Sequence, residues 1–180
     1  MRKYQVGFTI IELMVTLAVL AVVIGLAVPS FNQQILNNSS VALGEDLANA
    51  FNYARSEAIK RGARVSICAS NNGTACADAN SWIAGFIAYT DAATTDTASA
   101  TVVGEVLKYW SGFDPRTSLA ATRDGNNINF VRFTGIGVLA RNESGGVIIT
   151  SKLTGCTGKS ATAIRVGLSG SVSVGRVNCS

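Results

Sequence analysis

The side chains able to do chemistry are few. The 180-residue chain carries four cysteines, Cys68, Cys76, Cys156 and Cys179, and no histidine. It therefore lacks the group most used for proton transfer and metal ligation near neutral pH. The cysteines form no CxxC pair, so a zinc site has neither the spacing nor the ligands it needs. Gly135-Ile136-Gly137 has no third glycine and no following helix, as a nucleotide-binding loop requires, and no nucleophile has a histidine base. The expectation is a protein that is not an enzyme and uses neither metal nor cofactor. The Asn-x-Ser/Thr triplets at Asn72 and Asn142 are frequent by chance and receive no function.

One carboxylate stands out. Residues 8–28 read FTIIELMVTLAVLAVVIGLAV, twenty-one residues whose only charge is Glu12. As a helix this run rises roughly 31 Å, the hydrocarbon thickness of a bilayer. Arg2 and Lys3 precede it with no acid beside them, which keeps the N-terminus cytoplasmic and exports the chain beyond Pro29. A buried Glu12 costs about 2.5 to 3.5 kcal/mol near the membrane centre and less near its edge. It either pairs with a partner, or snorkels or protonates one turn inside the membrane. Gly25-Leu26-Ala27 also offers the small residues of a signal-peptidase site, the mark of an ordinary secretory signal. Pro29 predicts a kink or a break at the end of the run.

These residues must be held by a folded domain. At 180 residues one core and one anchor are expected. The net charge is +4, and subtracting Arg2 and Lys3 leaves +2 from Tyr4 onward, so the body of the chain is not strongly basic. Phe31, Ile35, Leu43, Leu47, Ala50, Phe51, Ala54 and Ala58 recur at helical spacing, which predicts an amphipathic helix over 29–61. Lys60 and Arg61 suit its C-terminal end and Gly62 its left-handed cap, while Asn37-Asn38-Ser39-Ser40 is its weak point. Residues 62–180 then turn to short β-branched runs: 64–69, 82–89, 102–110, 128–133, 146–151, 163–168 and 171–177. The expected class is α+β, an antiparallel sheet packed on the C-terminal half of the helix. Residues 70–81 and 90–101 read as long loops, the second polar and mobile. Ser169-Gly170 predicts a tight hairpin.

All four cysteines lie beyond the apolar run, and their even number fits two disulfides in an oxidising compartment, against four reduced thiols in the cytosol. Of three connectivities the loop placement favours Cys68 with Cys76 and Cys156 with Cys179. Each bridge adds about 2 to 4 kcal/mol.

The string Gly7-Phe8-Thr9-Ile10-Ile11-Glu12-Leu13 resembles the GFTLIEL signature of type IV prepilins, with Ile10 in place of leucine. The resemblance implies a leader over 1–7, cut after Gly7 by a prepilin peptidase/N-methyltransferase, and Phe8 as a methylated mature N-terminus. It implies that Glu12 pairs with the N-terminal amine of a neighbouring subunit, and Pro29 matches a proline common in the family. The chain would sit in the bacterial inner membrane lipid bilayer with a periplasmic domain, and pass into a filament beside other pilins or pseudopilins. Arg55-Ser-Glu-Ala-Ile59, Arg61-Gly-Ala-Arg-Val-Ser-Ile-Cys68, the strand opened by Trp82, Phe133-Thr-Gly-Ile-Gly137 and Leu168-Ser-Gly-Ser-Val-Ser-Val174 are similar to the GspH/FimT group. That group includes minor pilins that prime pilus assembly, pseudopilins of type II secretion, and members implicated in DNA uptake.

For a double-stranded DNA partner the candidates are Lys152, Lys159, Arg165 and Arg176. All come after Glu143, the last acid, and give the C-terminal part an unopposed +4. The DNA-binding members resemble each other in a Gly-Arg-x-Arg stretch, of which Gly175-Arg176-Val177-Asn178 keeps only the first arginine.

Overall fold

The computed structural model describes residues 7–78, 82–111, 113–140 and 145–179, with the side chains of residues 28 and 29 outside the description. The chain divides into two compact units, Met1–Ile35 and Leu36–Ser180. One helix, α1 (Ile10–Arg61), is assigned without interruption, through residue 29 as well. The side chain of Pro29 lies outside the described residues.

In the first unit the helix starts at a capping box written in Thr9-x-x-Glu12. The Glu12 backbone N–H donates to Thr9 Oγ1 at 3.3 Å, and the Thr9 N–H donates back to Glu12 Oε2 at 3.0 Å. The large apolar side chains from Ile10 to Leu26 all face outward. The stretch is long and apolar enough to cross a bilayer.

In the second unit α1 ends in a Schellman motif. Gly62 takes φ 59°, and its N–H donates to Ile59 O while Ala63 N–H donates to Ala58 O. Only a residue without Cβ enters that left-handed region at no cost. The strands of the domain are β1 (Val65–Ala69), β2 (Phe86–Asp91), β3 (Val103–Trp110), β4 (Thr117–Arg123), β5 (Asn126–Asn127), β6 (Phe130–Phe133), β7 (Val147–Leu153), β8 (Ala161–Val166) and β9 (Val172–Val177). They form two antiparallel sheets, ordered β3-β2-β1-β6 and β5-β4-β7-β8-β9. Leu47, Phe51 and Ala54 of the helix share one core with Val65, Ile67, Phe133, Ile149 and Ile164 from both sheets. This is the α+β class, with two sheets where one was expected.

Three local expectations change. Trp82 does not open a strand: Trp82–Ala84 is a 3-10 turn, and its fully buried indole donates to Ile128 O at 2.9 Å. Asn37 and Ser40 do not weaken the helix but tie it down. Asn37 exchanges two hydrogen bonds with Thr157, and Ser40 Oγ accepts the Leu153 N–H at 3.2 Å inside the core. Replacing Ser40 by alanine strands that buried N–H and should cost about 1 to 3 kcal/mol, read by urea denaturation.

The third change concerns residues 90–101. Strand pairing puts Ser66 opposite both Tyr89 and Arg132, and Cys68 opposite both Ile87 and Phe130. Paired residues share a face, so these side chains form an outer row on the four-stranded sheet, opposite the helix. The loops after β1 and β2 cover that row. Residues 92–101 are therefore pinned as a second layer, which is why every residue of β1 is buried.

Candidate assembly site and C-terminal cations

The pin is a buried ion pair. Arg132 Nε donates to Asp91 Oδ2 at 2.8 Å, with the side chains 2% and 0% exposed. The guanidinium also donates to the carbonyls of Asp96, Ala98 and Ala100. Asp91 accepts three further bonds, from Ser66 Oγ and the N–H groups of Ala93 and Val102. Burial pushes its carboxyl upward, but the bonds from Ser66, Arg132, Val102 and Ala93 outweigh that and hold it below the usual value. Arg64 adds bonds to Ala93 O and Asp96 Oδ1. A cleft of about 1130 Å³ opens beside this network, bordered by Gly62, Arg64, Asp96, Thr134, Ile136 and Leu168. Its two carboxylates, Asp91 and Asp96, are both spoken for by arginines. Arg55 ties the helix to the far loops by donating to Gly137 O and Ser169 O.

The disulfides are Cys68–Cys76 and Cys156–Cys179, and no described cysteine is free. The first closes the loop over the outer row, beside Ile87 and Tyr89. The second joins the loop that meets Asn37 to the end of the chain. Among the described residues no cluster of His, Cys, Asp and Glu could hold a metal ion.

Of the processing residues, Gly7 and Phe8 are described and exposed, while residues 1–6 of the expected leader lie outside the described residues. Glu12 Oε2 is 2.9 Å from Thr9 Oγ1 as well as 3.0 Å from its N–H, so this carboxylate has partners within its own first turn. Sequence reasoning missed this role, although the T-x-x-E spacing is a signal that could have found it.

The four C-terminal cations do not form one patch. Lys152 and Arg165 share the outer face of the five-stranded sheet, because Ile148 is paired with Arg165 and alternates with the core-facing Val147, Ile149, Ser151 and Leu153. Arg176 is paired with Thr162 on the opposite face, where its guanidinium comes within 4.0 Å of Glu45 of α1. Lys159 lies in the loop between β7 and β8.

No curated protein matches the chain by sequence. Two crystal forms of the type IV minor pilin FimU of Pseudomonas aeruginosa share its fold at 18% and 19% identity. They cover 80% and 74% of this chain and 90% of theirs, with TM-scores of 0.54 and 0.52. Residues 2–28 match the model of the prokaryotic N-terminal methylation motif. Residues 43–171, most of the chain, match the model of the type II transport protein GspH. With the apolar helix, the capped Glu12 and the two-sheet domain in place, the chain belongs to the GspH family and is a prepilin-like protein of the minor pilin and pseudopilin kind.

Proposed function

We propose that this chain is a minor pilin that enters and primes a type IV pilus through its N-terminal helix. Its work is assembly rather than turnover. The observation that carries this reading is the unbroken set of outward-facing apolar side chains from Ile10 to Leu26, with a carboxylate in the first turn. Such a surface needs lipid or other helices around it. The leader is removed after Gly7, Phe8 becomes the methylated N-terminus, and residues 8–28 hold the protein in the bacterial inner membrane with its domain in the periplasm. On entering the filament, Glu12 exchanges its local cap for the N-terminal amine of a neighbouring subunit, a pairing favoured where water is excluded.

The family model supports a second reading, a pseudopilin of type II secretion with the same anchor and processing. Duplex DNA binding has less support, because the cations lie on two faces and Arg176 is near Glu45. The test is surface pilus yield, by shearing cells and quantifying the major pilin, in an in-frame deletion and its complemented strain. Priming predicts loss of pili restored by complementation. Unchanged pili with impaired export would instead assign the subunit to secretion.

A further inference from the structure

β9 is the last strand of its sheet, and the parity of its hydrogen bonds is set by the hairpin that precedes it. Gly167 N–H donates to Ser171 O and Gly170 N–H to Gly167 O, with Gly170 at φ 76°, a three-residue loop closed by a left-handed glycine. Gly167 and Ser171 are thus a hydrogen-bonded pair. By alternation, Ser173, Gly175 and Val177 direct their backbone groups at β8. Val172, Val174 and Arg176 then direct theirs outward, and among the described residues nothing covers them. Val174 itself is 49% exposed.

Cationic side chains guard an open edge against indiscriminate pairing, and the two arginines at this one, Arg165 and Arg176, leave an acidic strand as the partner it admits. Gly175 has no side chain, and a Cβ placed there would come 3.4 Å from an Arg165 guanidinium nitrogen. Arg165 therefore reaches across β9 toward the edge on the outer face. Among the described residues no carboxylate pairs with it. Arg176 stands at the same edge on the opposite face.

We propose that the free edge of β9 is a docking site for an extended acidic segment of another protein, added as a further strand with a carboxylate meeting Arg165. Backbone hydrogen bonds supply affinity and the arginine supplies selectivity. The chemistry favours a polypeptide over a nucleic acid. The edge alternates N–H donors with C=O acceptors, which another strand complements, whereas a row of phosphates can only accept and would face three carbonyls. This inference does not depend on the priming role and is tested apart from it.

The test is fluorescence anisotropy on the full-length chain in detergent micelles. The labelled probes are a short peptide alternating Glu and Val, its Lys/Val counterpart and a short DNA duplex. The acidic peptide is expected to bind about tenfold tighter than the basic one. Val174→Pro removes an outward N–H while sparing the ladder to β8, and should weaken acidic-peptide binding about tenfold with the unfolding midpoint unchanged. Arg165→Glu should reverse the preference between the two peptides. If Val174→Pro fails to fold, that reversal decides alone. Equal binding of both peptides, no reversal in Arg165→Glu, or a duplex that displaces the acidic peptide would overturn the proposal.

Discussion

Arg132→Ala is expected to lower the unfolding free energy by about 3 to 5 kcal/mol, among the largest effects of any single substitution in the domain. The deletion leaves Asp91 buried without its guanidinium and strands the carbonyls of Asp96, Ala98 and Ala100. The amides of residues 92–101 should also lose hydrogen-exchange protection, since that layer has Arg132 as its main anchor. The double variant Asp91→Leu/Arg132→Met separates the two contributions. An apolar pair can replace a buried ion pair at little cost, so recovery measures the charge term. Incomplete recovery measures the polar groups the apolar pair cannot serve: the three carbonyls left by Arg132, and the Ser66 hydroxyl and the Ala93 and Val102 N–H groups left by Asp91. If Arg132→Ala changes the denaturation midpoint by less than Ser40→Ala does, the pinning role assigned to Arg132 is wrong.

The same pair gives the pH dependence its sign. Asp91 titrates below its ordinary value in the folded state, so the unfolded chain binds its proton more readily. Its contribution is full above the ordinary carboxylate range, about pH 4, and is lost as pH falls toward the folded value. The acid branch of the stability curve should therefore be shallower in the double variant than in the native protein.

What could be read in the sequence depended on whether a residue's role is local. The α1 helix, its stop at Gly62 and the hairpin at Ser169-Gly170 are set by spacing and by residues a few positions apart. So is the apolar run, and the T-x-x-E cap, which went unread, is equally local. The ion pair was hidden because Asp91 and Arg132 are 41 positions apart and sit in stretches that read as a polar loop and an ordinary strand. β4 was missed because its core-facing positions are Thr117, Leu119, Ala121 and Arg123, of which two are polar, so the alternation is masked. A signal was present nonetheless in Asp124-Gly125, both with positive φ, the two-residue turn that joins β4 to β5. The four C-terminal cations looked like one basic region because sequence distance carries no face. The pairings of Arg165 with Ser173 and of Arg176 with Thr162 separate them.

The two disulfides should differ in what their loss does. By the chain-entropy relation, a separation of 8 residues for Cys68–Cys76 gives about 2.5 kcal/mol and one of 23 for Cys156–Cys179 gives about 3.4 kcal/mol. The second also holds a clasp. Thr157 comes directly after Cys156 and exchanges two hydrogen bonds with Asn37, and the Leu153 N–H a few residues earlier bonds Ser40. Removing the bridge frees the chain end at Cys179 and lets the loop lift from the helix. Cys156→Ser/Cys179→Ser should therefore lose at least about 3 kcal/mol by urea denaturation. Hydrogen-exchange protection should fall first at residues 36–43 of α1. Cys68→Ser/Cys76→Ser should leave that segment protected and expose Tyr89 and Ile87 instead, since its loop covers the outer row of the four-stranded sheet. Equal loss of protection at residues 36–43 in both double variants would mean that the start of the packed helix depends on the domain as a whole and not on the C-terminal clasp.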